Sequence, residues 1–279
     1  MSLERLLRLA PAPPARIDVP NPDDFAACEA ELRLTLPADF KELLSAYGAG
    51  RFLDYLFAYP LTGYDMNMLR NKALLAGHQE ARERFPDWYP WPLYPEPGGL
   101  LLWGGTYDGH SLCWLTAGDP DTWPVIVWQQ RDGGHERFDG GAVELLTRWL
   151  AHELPNKVLP EPPRLDAWFE PMRPLREVYV YLDGGEGGFG ERARSLRRLL
   201  GPTTDRGENH GQGDHEVHFA TAGGWRVTYR QWQSGRLIRV AFPAHEEQAA
   251  RAAVLRVIPL LGHTLRHAQT QRGRRVWAD

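Results

Sequence analysis

The sequence predicts an α+β protein of two domains, an antiparallel-rich sheet wrapped by helices followed by a second, small α+β layer. Three observations carry that prediction. Apolar residues recur at helical spacing in several stretches, and between them short apolar runs are cut by Asp-Gly, Gly-Gly and Ser-Gly turns of the kind that join antiparallel strands. A segment over residues 155–175 carries Pro155, Pro160, Pro162, Pro163, Pro171 and Pro174, which interrupt regular structure and mark a linker, along which Trp168 and Phe169 are expected to tuck against one of the domains. At 279 residues the chain also exceeds the roughly 100–200 of a single domain. The expected domains are 21–154 and 176–279, with a short Leu-rich helix and a proline-rich lead over 1–20.

In the first half, Asn21 followed by Pro22, Asp23 and Asp24 is a helix start, with a cap, a proline at the first helical position and acids near the positive end of the helix dipole. Phe25, Cys28 and Leu32 form its apolar stripe. Pro37 opens the next helix, in which Leu36, Phe40, Leu43, Leu44 and Tyr47 recur at spacings of three and four, and Gly48 supplies the left-handed stop. A strand is expected over 51–59, and a helix over 65–85. The runs LLLWGG, SLCWLT and WPVIVWQQ, separated by Asp108-Gly109 and by Gly118-Asp119-Pro120-Asp121, predict a meander buried on both faces. A helix with the stripe Val143, Leu146, Trp149, Leu150 and Leu154, capped near Asp139, closes this half.

The second half is expected as strand, helix, three strands, helix. EVYVYLD leads into a glycine-rich loop, ERARSLRRLL is helical, and HEVHFAT, WRVTYRQ and RLIRVAF follow as strands. A last helix is expected over 244–267, kinked at Pro259.

Charge divides the chain the same way. Residues 1–173 hold 16 Lys+Arg against 25 Asp+Glu, a balance of −9, whereas residues 174–279 hold 16 Arg against 11 Asp+Glu, a balance of +5. An acidic half disfavours nucleic acid and suits a basic partner; a basic half suits an acidic one. No apolar run approaches the ~18 residues of a membrane helix. Glu4, Arg5 and Arg8 interrupt the core a signal peptide would need, so a cytoplasmic protein with no membrane partner is expected. Cys28 and Cys113 lack the spacing of a metal site or a disulfide framework and read as small core residues.

Three constellations invite chemistry. Gly185-x-Gly187-x-x-Gly190 follows a strand and precedes a helix, as a dinucleotide loop does, but Asp183 and Glu186 stand where a pyrophosphate would approach, and the following strands form hairpins. It reads as a turn. His210, Asp214, Glu216 and His218 offer a possible metal or catalytic set, for which a solvated strand edge is the simpler account, so no metal and no cofactor is expected. Arg226, Arg230 and Arg239 share a potential phosphate-binding face. With no aromatic rings known to accompany them, a charged solvent face is preferred. No nucleophile or metalloprotease motif occurs.

The segments LTLPADFKELLSAYGAGRF, GGLLLWGGTYDGHSLCWLTAGDPDTWPVIVW and GAVELLTRWLAHEL, in that order, resemble the SUKH superfamily, the Smi/Knr-type domain, in its actinobacterial form, over about residues 21–154. Leu36, Pro37, Asp39 and Phe40 match the Leu-Pro, acid and aromatic of the family's second helix. Gly48 and Gly50 match its glycine turn, and Trp114, Gly118 to Asp121 and Trp123 match its tryptophan-bearing strands and their connecting turn. Tyr47 stands where many members have Asn. The resemblance implies an α+β fold and a non-enzymatic role; many bacterial members are immunity proteins that bind and block a toxin, often a nuclease. An acidic surface would steer toward such a basic partner. The expected contact residues are the polar turns of the meander, Tyr107, Asp108, Asp119, Asp121 and Trp123. The alternative is a regulatory scaffold whose basic second domain binds an acidic partner or nucleic acid through Arg226, Arg230 and Arg239.

Overall fold

Asn21 caps its helix as its sequence dictates. In the computed structural model, which describes residues 3–63, 67–69, 78–129, 133–155, 157–185 and 187–277, Asn21 Oδ1 accepts from the Asp23 and Asp24 amides (2.8 and 3.1 Å), and Asp24 Oδ2 accepts from the Asn21 amide (2.8 Å). These bonds satisfy donors that every helix start leaves open. The chain divides into two compact units, Met1–Met172 and Arg173–Asp279.

The first unit holds helices α1 (Leu3–Leu9), α2 (Pro22–Leu32), α3 (Ala38–Tyr47), α4 (Gln79–Arg84) and α5 (Ala142–Leu150). Its strands are β1 (Gly50–Phe52), β2 (Leu56–Ala58), β3 (Leu100–Thr106), β4 (Ser111–Leu115), β5 (Val125–Trp128), β6 (His135–Phe138) and β7 (Phe169–Pro171). They form one antiparallel sheet in the order β6-β5-β4-β3-β2-β1-β7. The meander β3–β4–β5 is buried on both faces, as its uninterrupted apolar runs require. Phe40 lies edge-on to Trp114 (4.8 Å between ring centroids) and Trp103 (5.9 Å), so α3 docks on the meander through an aromatic cluster. Cys28 and Cys113 are buried free thiols, and burial pushes Cys28 up to about 11.

Gly48 does more than end α3. With φ at +70°, a Cβ there would stand 2.2 Å from the Ile17 carbonyl oxygen, and Ala49 donates to that same oxygen (2.7 Å). The proline-rich lead is therefore laid against the helix end, and α1 joins the core through Leu6 and Ala10.

One expectation for this unit needs correction and two are completed by the structure. The single strand over 51–59 is a hairpin, because Leu53 and Asp54 both take positive φ (52° and 55°) and Tyr55 donates back to the Phe52 carbonyl (2.9 Å). The segment 155–175 carries strand β7, and Leu159, Trp168 and Phe169 are buried in the first core, so proline here fixes a path over the unit. The helix over 65–85 is described only as α4, since residues 65–66 and 70–77 lie outside the described residues; it closes at Phe85, held off helical angles by Pro86.

The second unit runs β8 (Leu175–Gly184), α6 (Phe189–Leu199), β9 (Thr203–His210), β10 (His215–Thr221), β11 (Arg226–Trp232), β12 (Gly235–Pro243), α7 (Glu247–Leu260), β13 (His263–Thr270) and β14 (Arg275–Val276). The antiparallel sheet has the order β14-β13-β8-β12-β11-β10-β9. Both helices place their apolar residues, among them Leu196, Val254 and Val257, with Val178, Val180, Leu182, Ile238 and Val240 on one face of that sheet. The layer is α+β, with three strands beyond those expected. The last helix stops at Leu260 rather than reaching His267: Gly262 takes φ +73° directly after it, and the next residues pair with β8. No described helix is long and apolar enough to cross a membrane.

Candidate functional site

The β3–β4 turn presents an exposed aromatic ring. Tyr107 is 77 % exposed while its amide donates to the Tyr55 carbonyl (2.8 Å), so the backbone is fixed and the ring is presented. Asp108 lies beside it, exposed, next to the Tyr55 phenol, which is pushed up to about 12, mainly by burial and further by that carboxylate. Ser111 pairs with both Gly105 and Trp128, which brings the end of β5 to the same end of the sheet. There the Trp128 indole donates to the Trp88 carbonyl (3.2 Å), and Trp88 (39 % exposed) stacks on Phe85 (52 % exposed) with centroids 5.5 Å apart. The sequence singles out neither ring: Phe85 is expected only as the end of a helix over 65–85, and Trp88 is assigned no role. Two aromatics three residues apart without a buried stripe were the available signal.

Asp119, Asp121 and Trp123 sit elsewhere. They belong to the β4–β5 connection, which leaves the opposite end of β4, five residues and thus about 17 Å from the Tyr107 turn. Asp119 Oδ1 accepts from the Asp121 amide (3.1 Å), and Asp121 Oδ1 accepts from the Ala38 amide at the start of α3 (2.6 Å). Trp123 is only 5 % exposed, packs against Trp114 (6.2 Å) and donates to the Gly118 carbonyl (3.2 Å). Its ring is a packing group, not a partner contact, and the two aspartates serve as caps. The acid of the Leu-Pro motif behaves alike: Asp39 Oδ2 accepts from the Val143 amide (3.0 Å), so α5 is capped from α3 and not from Asp139, which pairs with Arg137 (2.7 Å). Gly141 makes this possible, since a Cβ there would stand 2.3 Å from that carboxylate oxygen. Burial is the main reason the Asp39 carboxyl is raised above its ordinary range.

In the second unit the three arginines do share a face. Thr228 lies opposite Arg239, with Arg226 and Arg230 two residues either side of it. Arg230, however, is forked onto Asp214 (3.1 and 2.6 Å), holding that carboxyl below its usual range, and reaches Glu216 (3.5 Å). His218 bonds Thr228 Oγ1 (3.0 Å) and Glu216 (3.1 Å). His210 pairs with His215 and lies against Phe189 (6.2 Å), on the helix side of the sheet. The sequence set His210, Asp214, Glu216, His218 is thus split between two faces, and its acids are engaged by Arg230. Among the described residues no cluster of three His, Cys, Asp or Glu side chains is placed to hold a metal ion.

A buried polar relay joins α6, β11 and β13. Arg192, 4 % exposed, donates through Nε to the Tyr229 hydroxyl (2.9 Å), and also to Gln231 Oε1 and the Gly187 carbonyl. The same hydroxyl lies 3.0 Å from His263 Nε2 and has a proton of its own to share with that nitrogen. Burial first, and the Arg192 charge second, hold the His263 pKa below its ordinary value. A folded value below the unfolded one means that the contribution is complete above about pH 6.5 and fades as pH falls below it. The thermal midpoint of the second unit should therefore drop between pH 7 and 5, and His263→Gln, which can still accept from Tyr229, should flatten that dependence. Equal pH profiles for the two proteins would contradict the relay.

The family model SUKH_6, described as SMI1-KNR4 cell-wall, matches residues 22–145. No curated protein and no solved structure matches the chain. The match covers the helices and meander whose Leu36, Pro37, Asp39, Phe40, Gly48 and Trp114 have just been placed, and residues 22–145 of this chain belong to the SUKH superfamily.

Proposed function

We propose that the chain is a non-enzymatic protein-binding module, immunity- or antitoxin-like, which docks on a basic partner such as a nuclease toxin through the β3–β4 end of its first unit. The observation that carries the reading is Tyr107, 77 % exposed on a rigid turn beside Asp108 in a half with a balance of −9. Exposed aromatic anchors dominate protein interfaces, and the Phe85–Trp88 stack adds a second anchor at the same end. The acidic field raises the association rate of a basic partner and would cover a cationic groove once docked. Asp119 and Asp121 add to this field but are retained for the fold.

The test is affinity capture from the native cell with immobilised full-length chain, run beside Tyr107→Ala/Asp108→Lys. The reading expects a basic protein retained by the wild type and lost by the variant. Retention of the same protein by both would move the interface elsewhere.

A further inference from the structure

The face of the second sheet turned away from α6 and α7 carries aromatic rings that sequence alone could not place. On β8 the alternation Val178, Val180, Leu182 against Tyr179, Tyr181 sends both tyrosines to this face. His267 pairs with Tyr181 across β13 and stacks on its ring, 4.5 Å between centroids at 20°. Leu182 and Ala268 point to the core on either side of that row.

Register also sorts the cations. Reading across the sheet, Arg275, Gln269, Tyr179, Arg239, Thr228 and His218 form one continuous row. Arg239 therefore stands directly beside Tyr179, and Arg275 lies on its other side one strand further out, beyond Gln269. The His267 pKa is lowered, first by burial and then by the charges of Arg275 and Arg266, of which Arg266 lies 3.9 Å from Asp183. The acids on this face include Glu177, which accepts from the Tyr179 hydroxyl (3.0 Å), Asp183, beside Arg266, and Asp214 and Glu216, gathered on Arg230. The face is thus ion-paired over β10 and β11, while over β12, β8, β13 and β14 it carries the aromatic rings with three arginines and two acids, Glu177 and Asp183.

We infer that the β12–β8–β13–β14 half of this face is a stacking platform for single-stranded nucleic acid, with Tyr179, Tyr181 and His267 under the bases and Arg239, Arg266 and Arg275 on the phosphates. Tyr179 and Tyr181 are two residues apart on one strand, about 6.7 Å, a spacing that an extended single strand can follow base by base. Every base has a π face and every phosphate a charge, so such a surface needs no sequence reading. A duplex, with its bases stacked internally, offers these rings nothing. The balance of +5 over residues 174–279 suits a polyanion.

Fluorescence anisotropy of labelled oligothymidylate and oligouridylate, titrated with the full chain over a range of KCl, tests the inference. Salt-sensitive binding of either strand, and weaker binding of a duplex of equal length, is expected; a preference between the two strands identifies which source the site favours. Tyr179→Ala and Tyr181→Ala should each weaken binding about 5- to 100-fold, whereas Tyr181→Phe, which keeps the ring, should bind as the wild type. Arg239→Gln and Arg275→Gln should each lower the slope of log affinity against log salt by about 0.7. Absence of binding at low salt, alanine variants that fold and bind unchanged, or displacement by oligoglutamate as efficient as by unlabelled oligonucleotide would each overturn it.

Discussion

Phe40→Ala lowers the stability of the first unit by about 3–5 kcal/mol, the range for deleting a fully buried aromatic ring. The ring is wholly buried and stands edge-on to Trp114 and Trp103, which are themselves stacked 5.6 Å apart and also fully buried. Tryptophan pairs of this kind cannot collapse into the vacated space without tilting both indoles and pulling on β3 and β4, so the cavity term persists on top of the lost transfer energy. The same two indoles report the result, since their fluorescence follows urea unfolding directly. Tyr107→Ala is the matched control: its ring is in solvent, and the change should stay within about 0.5 kcal/mol. A Phe40→Ala loss no larger than the control would show that the motif phenylalanine does not hold α3 to the meander.

Arg192→Met destabilises the second unit by about 2–3 kcal/mol. Methionine fills much of the buried stem, so the loss isolates the guanidinium's bonds to Tyr229, Gln231 and Gly187. Tyr229 is fully buried and has no solvent to replace the donor. A second effect follows from charge. With the cation gone, the His263 pKa moves back toward its ordinary value, so the acid-induced loss of stability, which opens near about pH 6.5 in both proteins, is smaller in the variant than in the wild type. Thermal melts between pH 7 and 5 read both effects. A variant as stable as the wild type, with an unmoved pH profile, would show that Arg192 is merely accommodated.

Legibility in the sequence followed the range of the interactions. Helix starts set by neighbours, such as Asn21 with Asp23 and Asp24, could be read directly, as could the meander and the turn glycines. Elements held by distant partners could not. Strand β9 spells TTDRGENH, an edge strand with no apolar alternation, and only its ladder with β10 makes it a strand. Strand β13 was hidden because Leu261 and Leu265 continue the helical spacing of Val254 and Val257; Gly262 decides against the helix. The cap of α5 comes from Asp39, 104 residues away.

The candidate residues divide in the same manner. Tyr107 and Asp108 could be placed on an exposed turn because Asp108-Gly109 defines that turn locally. Asp121 and Trp123 looked equally exposed in the sequence, yet one is held by the Ala38 amide and the other by Trp114. The arginine face was visible as an alternation, but its aromatic companions required the register of β8 with β13.

The central claim, a basic protein steered to the Tyr107–Asp108 end of the first unit, is tested most directly by stopped-flow association of the captured partner with the full chain across ionic strength. The account predicts a rate that falls steeply with salt for the wild type, and a slower, flatter dependence for Asp108→Lys with the fold unchanged. An association rate indifferent to salt, or identical in the two proteins at low salt, would contradict it.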